Sequence, residues 1–136
     1  MYKPAAAWLT DRSGSMVESA ITMPILILLS LAFVNFALAG YASATAQNAA
    51  NYGARMGAVS FSGAAGHALD NARQAASSGI GSYDISVAAS DTPGSTVAVT
   101  VRWQVPNFFA GLMPLFGQSA GDLKGTASAA YRKEGW

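Results

Sequence analysis

The sequence predicts an α+β protein in which a long N-terminal transmembrane helix continues into a small domain with a short helix and a three-stranded antiparallel sheet. Two observations lead to this prediction. No charged side chain occurs between Glu18 and Arg55, and the first part of this interval is continuously apolar. Beyond Gly81 the pattern changes to the alternation of apolar and polar residues that is typical of strands.

The composition excludes several classes of protein. The 136 residues are 51% apolar and only 11% charged, whereas a typical soluble domain is about 25% charged. This scarcity of charge excludes a hydrated, disordered chain. A net charge of +1 leaves too few cations for a nucleic-acid partner. The absence of cysteine excludes disulfide scaffolds and Cys-ligated metal centres.

The predicted anchor begins near Met16. Residues 21–39 are apolar and long enough to cross a bilayer, which takes about 20 residues. The following stretch is rich in alanine, the best helix former, and no proline interrupts it after Pro24. We therefore expect one helix from about Met16 to Val59, roughly 65 Å long, with a membrane span over 19–40 and a projecting part over 41–59.

The flanks of the anchor predict its orientation. Residues 1–15 form a short leader with Lys3 and Arg12, which favours a cytoplasmic N-terminus and an outer domain of residues 60–136 on the far side of the membrane. Two alternatives stay open. A signal peptide cut at the small residues 42–44 would release a secreted β-rich binding domain, and a soluble protein would bury the same helix in its core.

The outer domain is predicted from local patterns. A glycine-rich break over residues 60–66 precedes a short helix over residues 67–76. Three segments alternate as strands do, namely residues 83–89, 96–105 and 121–132. Between the first two, residues 91–95 place proline and glycine where a tight turn needs them. The first two strands therefore form a β-hairpin.

An apolar segment, residues 107–117, separates the second and third predicted strands. Its surface is too apolar for free solvent, so we treat it as a candidate docking loop. Its candidate contact residues are Phe108, Phe109, Leu112, Met113 and Phe116. Three interpretations stay open: the loop docks a protein, dips into the membrane interface, or folds over the sheet as a lid.

Catalysis has little support in the sequence. The single histidine, His67, has Asp70 three residues later, but nothing marks a serine as the nucleophile that such a pair would activate. Motifs for phosphate binding and metal ligation are also missing. We expect a protein that is not an enzyme, with no cofactor, no metal and no small-molecule substrate.

Residues 12–29, Arg-Ser-Gly-Ser-Met-Val-Glu-Ser-Ala-Ile-Thr-Met-Pro-Ile-Leu-Ile-Leu-Leu, resemble the N-terminal motif of TadE-like proteins. These are minor pilin-like (pseudopilin) subunits of the tight-adherence, or Flp, branch of type IV pili. Their pattern is a basic residue, small residues, Val-Glu and a proline six positions after the glutamate, a spacing that Glu18 and Pro24 reproduce. The Ala/Arg-rich residues 47–58 and the final strand and tail, 127–134, also resemble family members.

The resemblance implies a structural subunit of a tight-adherence pilus or of its assembly machinery, in the bacterial cytoplasmic membrane. It would act through membrane lipid and through other pilin-like or membrane-protein subunits. The resemblance also implies that Glu18 pairs with the free amino terminus of a neighbouring subunit. The residues alone also allow a carboxylate that lies at headgroup level near the start of the helix. A second function stays open, a single-pass accessory subunit of another membrane complex with an uncleaved N-terminus.

Leader processing by a prepilin peptidase is implied as well. The family usually has a glycine five residues before the glutamate, where this chain has Ser13, and Gly14 follows one residue later. The family also usually has phenylalanine directly after the glutamate, where this chain has Ser19. Cleavage after Ser13, cleavage after Gly14 and an uncut leader are therefore all open.

Small residues on the helix are candidates for helix packing. Ala37, Gly40 and Ala44 recur at three- and four-residue steps, and Gly53 and Gly57 form a GxxxG motif. Small residues let helices approach closely in lipid, so we expect the first three to contact neighbouring subunits. For Gly53 and Gly57, subunit association and packing on the outer domain are both open.

Pro24 is a further helix-packing candidate. It either kinks the helix for assembly or does little harm near the first turns.

Overall fold

The computed structural model describes residues 7–134, except the side chains of residues 7–15 and of Phe116. The elements, in chain order, are helix α1 (Ala7–Val59), helix α2 (Ala64–Ala76), strand β1 (Ser82–Ala88), strand β2 (Thr96–Val105), a short 3₁₀ helix (Met113–Phe116) and strand β3 (Leu123–Arg132). The sheet has the order β1-β2-β3, with both pairs antiparallel. The predicted α+β class, with a long apolar helix, a short helix and three antiparallel strands, is confirmed.

Some element boundaries differ from those that the sequence predicts. Within the described residues, helix α1 also includes residues 7–15, which precede the predicted start near Met16. Helix α2 begins at Ala64 and not at His67, because a side chain from the β1–β2 turn caps the earlier amides.

The chain divides into two compact units, of which the first ends at Val34 and the second begins at Asn35. The C-terminal part of α1 therefore belongs to the same unit as α2 and the sheet. We call residues 35–134 the head. The boundary lies earlier in the chain than the predicted start of the outer domain, because alanine side chains of α1 form part of the core of the head.

The sheet buries one face. Alternate residues of β2 point into the core, and Val97, Val99, Val101 and Val105 are the largest fully buried side chains. The β1–β2 turn contains Pro93, followed by Gly94 at φ 81°. The amide of Ser95 donates to the carbonyl of Thr92 at 3.1 Å, which is the arrangement of a type II turn.

Small side chains from the two helices cover this apolar face. The buried alanines of α1 are Ala42, Ala46, Ala49, Ala50, Ala54 and Ala58, and those of α2 are Ala64, Ala68, Ala72 and Ala76. A Cβ atom on Gly53 would lie 2.6 Å from the carbonyl oxygen of Ala68, and one on Gly57 would lie 2.9 Å from Val97. Gly53 and Gly57 therefore allow α1 to contact α2 and the sheet of its own head.

Asp91 connects three parts of the head at the turn end of β2. Its carboxylate accepts hydrogen bonds from the amides of Gly63, at 3.0 Å, and Ala64, at 2.8 Å, and so caps α2. The ammonium group of Lys133 lies 3.3 Å from the same carboxylate, and its side chain is only 3% exposed. The amide of Lys133 also donates to the carbonyl of Ser95 at 2.7 Å. Asp91 therefore ties α2 and the end of β3 to the β1–β2 turn.

These contacts lower the affinity of the Asp91 carboxylate for a proton. The hydrogen bonds from the amides of Ala64 and Gly63, and then that from Lys133, hold the pKa of Asp91 below its usual value.

Substitution of Gly53 by alanine tests the close contact between the helices. The added methyl group has no room, so we expect Gly53→Ala to lower the free energy of unfolding by about 1–3 kcal/mol. The matched control is Gly40→Ala on the same helix, where an added Cβ meets no atom within 4 Å. The control gains helix propensity of up to about 1 kcal/mol. Chemical unfolding in detergent, followed by circular dichroism, measures both, and equal stability of the two variants would contradict the contact.

Substitution of Asp91 by asparagine tests the capping interaction. Because the folded-state pKa is lowered, the stabilisation is complete above the unfolded-state pKa of about 4 and is lost as pH falls through the folded-state value. We expect Asp91→Asn to lower the melting temperature at pH 7 and to flatten the loss of stability in acid. Asp70→Asn, an exposed carboxylate on α2, is the control. Identical melting curves for Asp91→Asn and the native chain from pH 7 to pH 3 would rule out the capping interaction.

Candidate functional site

The first candidate surface is the apolar segment of α1. Among the described residues, α1 is the one helix long and apolar enough to cross a bilayer, with a mean hydropathy of 2.3 over its most apolar 18-residue window, of which only 6% is buried. The large apolar side chains of this segment are exposed, including Ile21, Met23, Ile25, Leu26, Ile27, Leu28 and Leu29. Lipid chains would solvate such a surface, whereas water would not.

Polar groups inside this segment find partners on the same helix. The hydroxyl of Thr22 donates to the carbonyl of Glu18, and the hydroxyl of Ser30 donates to the carbonyl of Leu26 at 2.8 Å. Pro24 lies inside α1, which continues without a break, although proline supplies no amide hydrogen to the preceding turn. The segment therefore exposes few unsatisfied polar groups to lipid.

Glu18 lies on α1 just before the apolar segment, and its side chain is exposed. The backbone of Ser13 and Gly14 belongs to α1, but their side chains lie outside the described part. The pairing of Glu18 and the processing at Ser13 or Gly14 stay predictions.

The predicted packing residues separate into two faces. Ala37, Gly40 and Ala44 are exposed; we call these three residues the outer face of α1. At about 100° per residue, this face is roughly opposite the buried Ala42, Ala46 and Ala49 of the same helix. Gly53 and Gly57, in contrast, are buried against α2. Of the five small residues, only the outer face is free to meet another molecule.

The residues of the candidate signal-peptidase site lie within the head. Ala42 is fully buried in the core, and the head begins at Asn35. Cleavage after Ala44 would therefore remove part of the packed core of the head.

We call residues 106–118, which contain the predicted apolar segment 107–117, the apolar loop. It is attached to α1 by Asn35, which was not among the predicted site residues. The side-chain amide of Asn35 donates to Oδ1 of Asn107 at 2.9 Å, and Oδ1 of Asn35 accepts from the amide of Phe108 at 3.0 Å. Asn35 is only 6% exposed. The sequence offered one signal for this contact, a carboxamide inside an apolar run, Phe33-Val-Asn-Phe36.

The candidate contact residues of the loop differ in exposure. Phe108 is 49% exposed, while Phe109, Leu112 and Met113 are half-buried. Leu115 of the same loop is 79% exposed. The side chain of Phe116 lies outside the described part. The two helices cover the apolar face of the sheet, and the described side chains of the loop contribute nothing to the buried core.

Titratable residues show no arrangement for metal binding in the described part of the chain, which holds no group of three or more His, Asp or Glu side chains. His67 and Asp70 are both exposed on α2.

Comparison with known proteins gives one finding. The family model described as TadE-like protein matches residues 14–55, which include Glu18, Pro24 and the outer face of α1. No curated protein and no solved structure gives a significant match. The matched segment, together with the long apolar helix, is consistent with a member of the TadE-like family and indicates a membrane-anchored protein related to Tad pili.

Proposed function

We propose that this chain is a pilin-like structural subunit of a tight-adherence type IV pilus or of its assembly machinery, and that it acts by membrane anchoring and helix–helix association. The observation that carries the proposal is the division of α1 into two faces. The inner face packs on the head, while Ala37, Gly40 and Ala44 stay exposed. Because these residues have no atom beyond Cβ, they leave room for a neighbouring helix to approach closely.

In this proposal Glu18 fixes the register between subunits. A carboxylate that enters hydrocarbon without a partner costs several kcal/mol, so pairing with a cationic amino terminus is strongly favoured there. Ser13 and Gly14 belong to helix α1, as Glu18 does. Removal of the leader at Ser13 or Gly14 would create an amino terminus within the helical turns next to Glu18.

The proposed orientation follows the distribution of charge around the anchor. Lys3 and Arg12 precede the apolar segment and favour a cytoplasmic N-terminus. The sheet and α2 of the head would then lie outside the cytoplasmic membrane.

The second candidate is a single-pass accessory subunit of another membrane complex with an uncut leader. It is favoured by the continuous helix through Ser13 and Gly14 and by the serine where the family has its glycine.

Intact mass spectrometry of the protein from its native membrane separates the candidates. For the pilin-like subunit we expect the mass to lack the first 13 or 14 residues, because a prepilin peptidase would have removed the leader. A full-length mass would instead support the accessory subunit. A chain that begins at Thr45 would overturn both anchored proposals.

Cysteine cross-linking tests the association of the outer face, because the native chain has no cysteine. We expect Ala44→Cys to form disulfide-linked species in native membranes. Ser43→Cys, exposed on the adjacent residue, should form severalfold less, since it points about 100° away. Adding Glu18→Gln to Ala44→Cys should reduce the yield severalfold, because the register is lost.

The control for the charge change is Glu134→Gln, which removes an exposed carboxylate from the head and should leave the yield unchanged. Equal yields from Ala44→Cys and Ser43→Cys would disprove association through the outer face. An unchanged yield with Glu18→Gln would disprove the pairing role.

A further inference from the structure

The apolar loop contains no charged residue, and most of its backbone amides donate hydrogen bonds. No charged residue occurs between Arg102 and Asp122. Backbone amides within the loop donate to loop carbonyls: Ala110 to Asn107, Leu112 to Phe109, Leu115 to Leu112, Gly117 to Pro114 and Gln118 to Met113, all at 2.9–3.1 Å. A segment that enters lipid must satisfy its own backbone groups in this way, whereas a loop in water need not.

Asn35 places the loop at a particular depth. About 20 residues of helix cross the hydrocarbon, so a span that starts after Glu18 ends near Leu38. Asn35 lies about one helical turn before that end. A carboxamide at this depth needs partners from the protein, and the loop supplies them through Asn107 and the amide of Phe108.

We propose that the apolar loop is a membrane-contact element that inserts Phe108 and Leu115 into the lipid interface on the side of the head. Both side chains are exposed in the head, and apolar and aromatic side chains partition into the boundary between headgroups and acyl chains. The loop is fixed to Asn35, which lies near the expected end of the span, so the lipid interface is the surface that we assign to it. Asn35 acts as a positioning residue for this contact.

The proposal requires that α1 spans a membrane, as the proposed function does, but it is independent of Glu18 pairing and of filament assembly. The alternative occupant of the same surface is a second copy of this chain.

Spin labels on single cysteines test the proposal in the full-length protein. We choose Leu115→Cys in the loop, Leu28→Cys in the span and Phe61→Cys as a matched exposed apolar control in the head, 85% exposed. The protein is reconstituted in vesicles of phosphatidylethanolamine and phosphatidylglycerol. For each label, the collision rate with oxygen, which partitions into lipid, is divided by the rate with a water-soluble nickel chelate.

We expect the ratio to be highest at position 28, intermediate at position 115 and severalfold lower at position 61. A ratio at position 115 equal to that at position 61 would overturn the loop contact while leaving the anchor intact. Low collision rates with both reagents at position 115 would mean that a second copy covers the loop, and would also overturn the proposal. A water-like ratio at position 28 would overturn the membrane span and the loop contact together.

Asn35→Leu tests the positioning role. This substitution keeps the segment apolar and removes both hydrogen bonds to the loop. The ratio at position 115 should then fall toward that of position 61, while the ratio at position 28 stays unchanged. An unchanged ratio at position 115 would show that Asn35 does not position the loop.

Discussion

The close packing of α1 on α2 is the contact on which the rest of the head depends. Apart from Trp103, the buried core consists of alanine and valine, and its largest fully buried side chains are four valines of β2. Burial of a valine contributes about 1.5–3 kcal/mol, and an alanine contributes less. Such a core excludes water only if the helices approach closely. Gly53 and Gly57 permit that approach, since a Cβ on either residue would collide with α2.

This packing also determines what α1 offers to other molecules. The alanines on its inner face are buried in the head, so they are not available to a neighbouring molecule. Small residues therefore have two environments on α1. On the inner face they bring α2 close to the sheet, and on the outer face Gly40 leaves open space that another helix can fill.

The elements that depend on local pattern were predictable from the sequence. The apolar run identified α1, and alternation together with Pro93 and Gly94 identified the hairpin and the bounds of β2. Periodicity did not separate Gly53 from Gly40, because small residues occur on all sides of this part of α1.

Contacts between distant residues were not predictable. Lys133 lies 42 positions from Asp91, and Asn107 lies 72 positions from Asn35. Neither pair belongs to a sequence motif, since the fold alone brings the partners together.

The two pairs mark opposite ends of β2, whose ten residues extend about 33 Å. At the Thr96 end, the exposed carboxylate of Asp91 lies 3.3 Å from the buried ammonium of Lys133. At the Val105 end, the chain enters a loop without charge. An overall charge content of 11% thus averages a charged end and an uncharged end of the head.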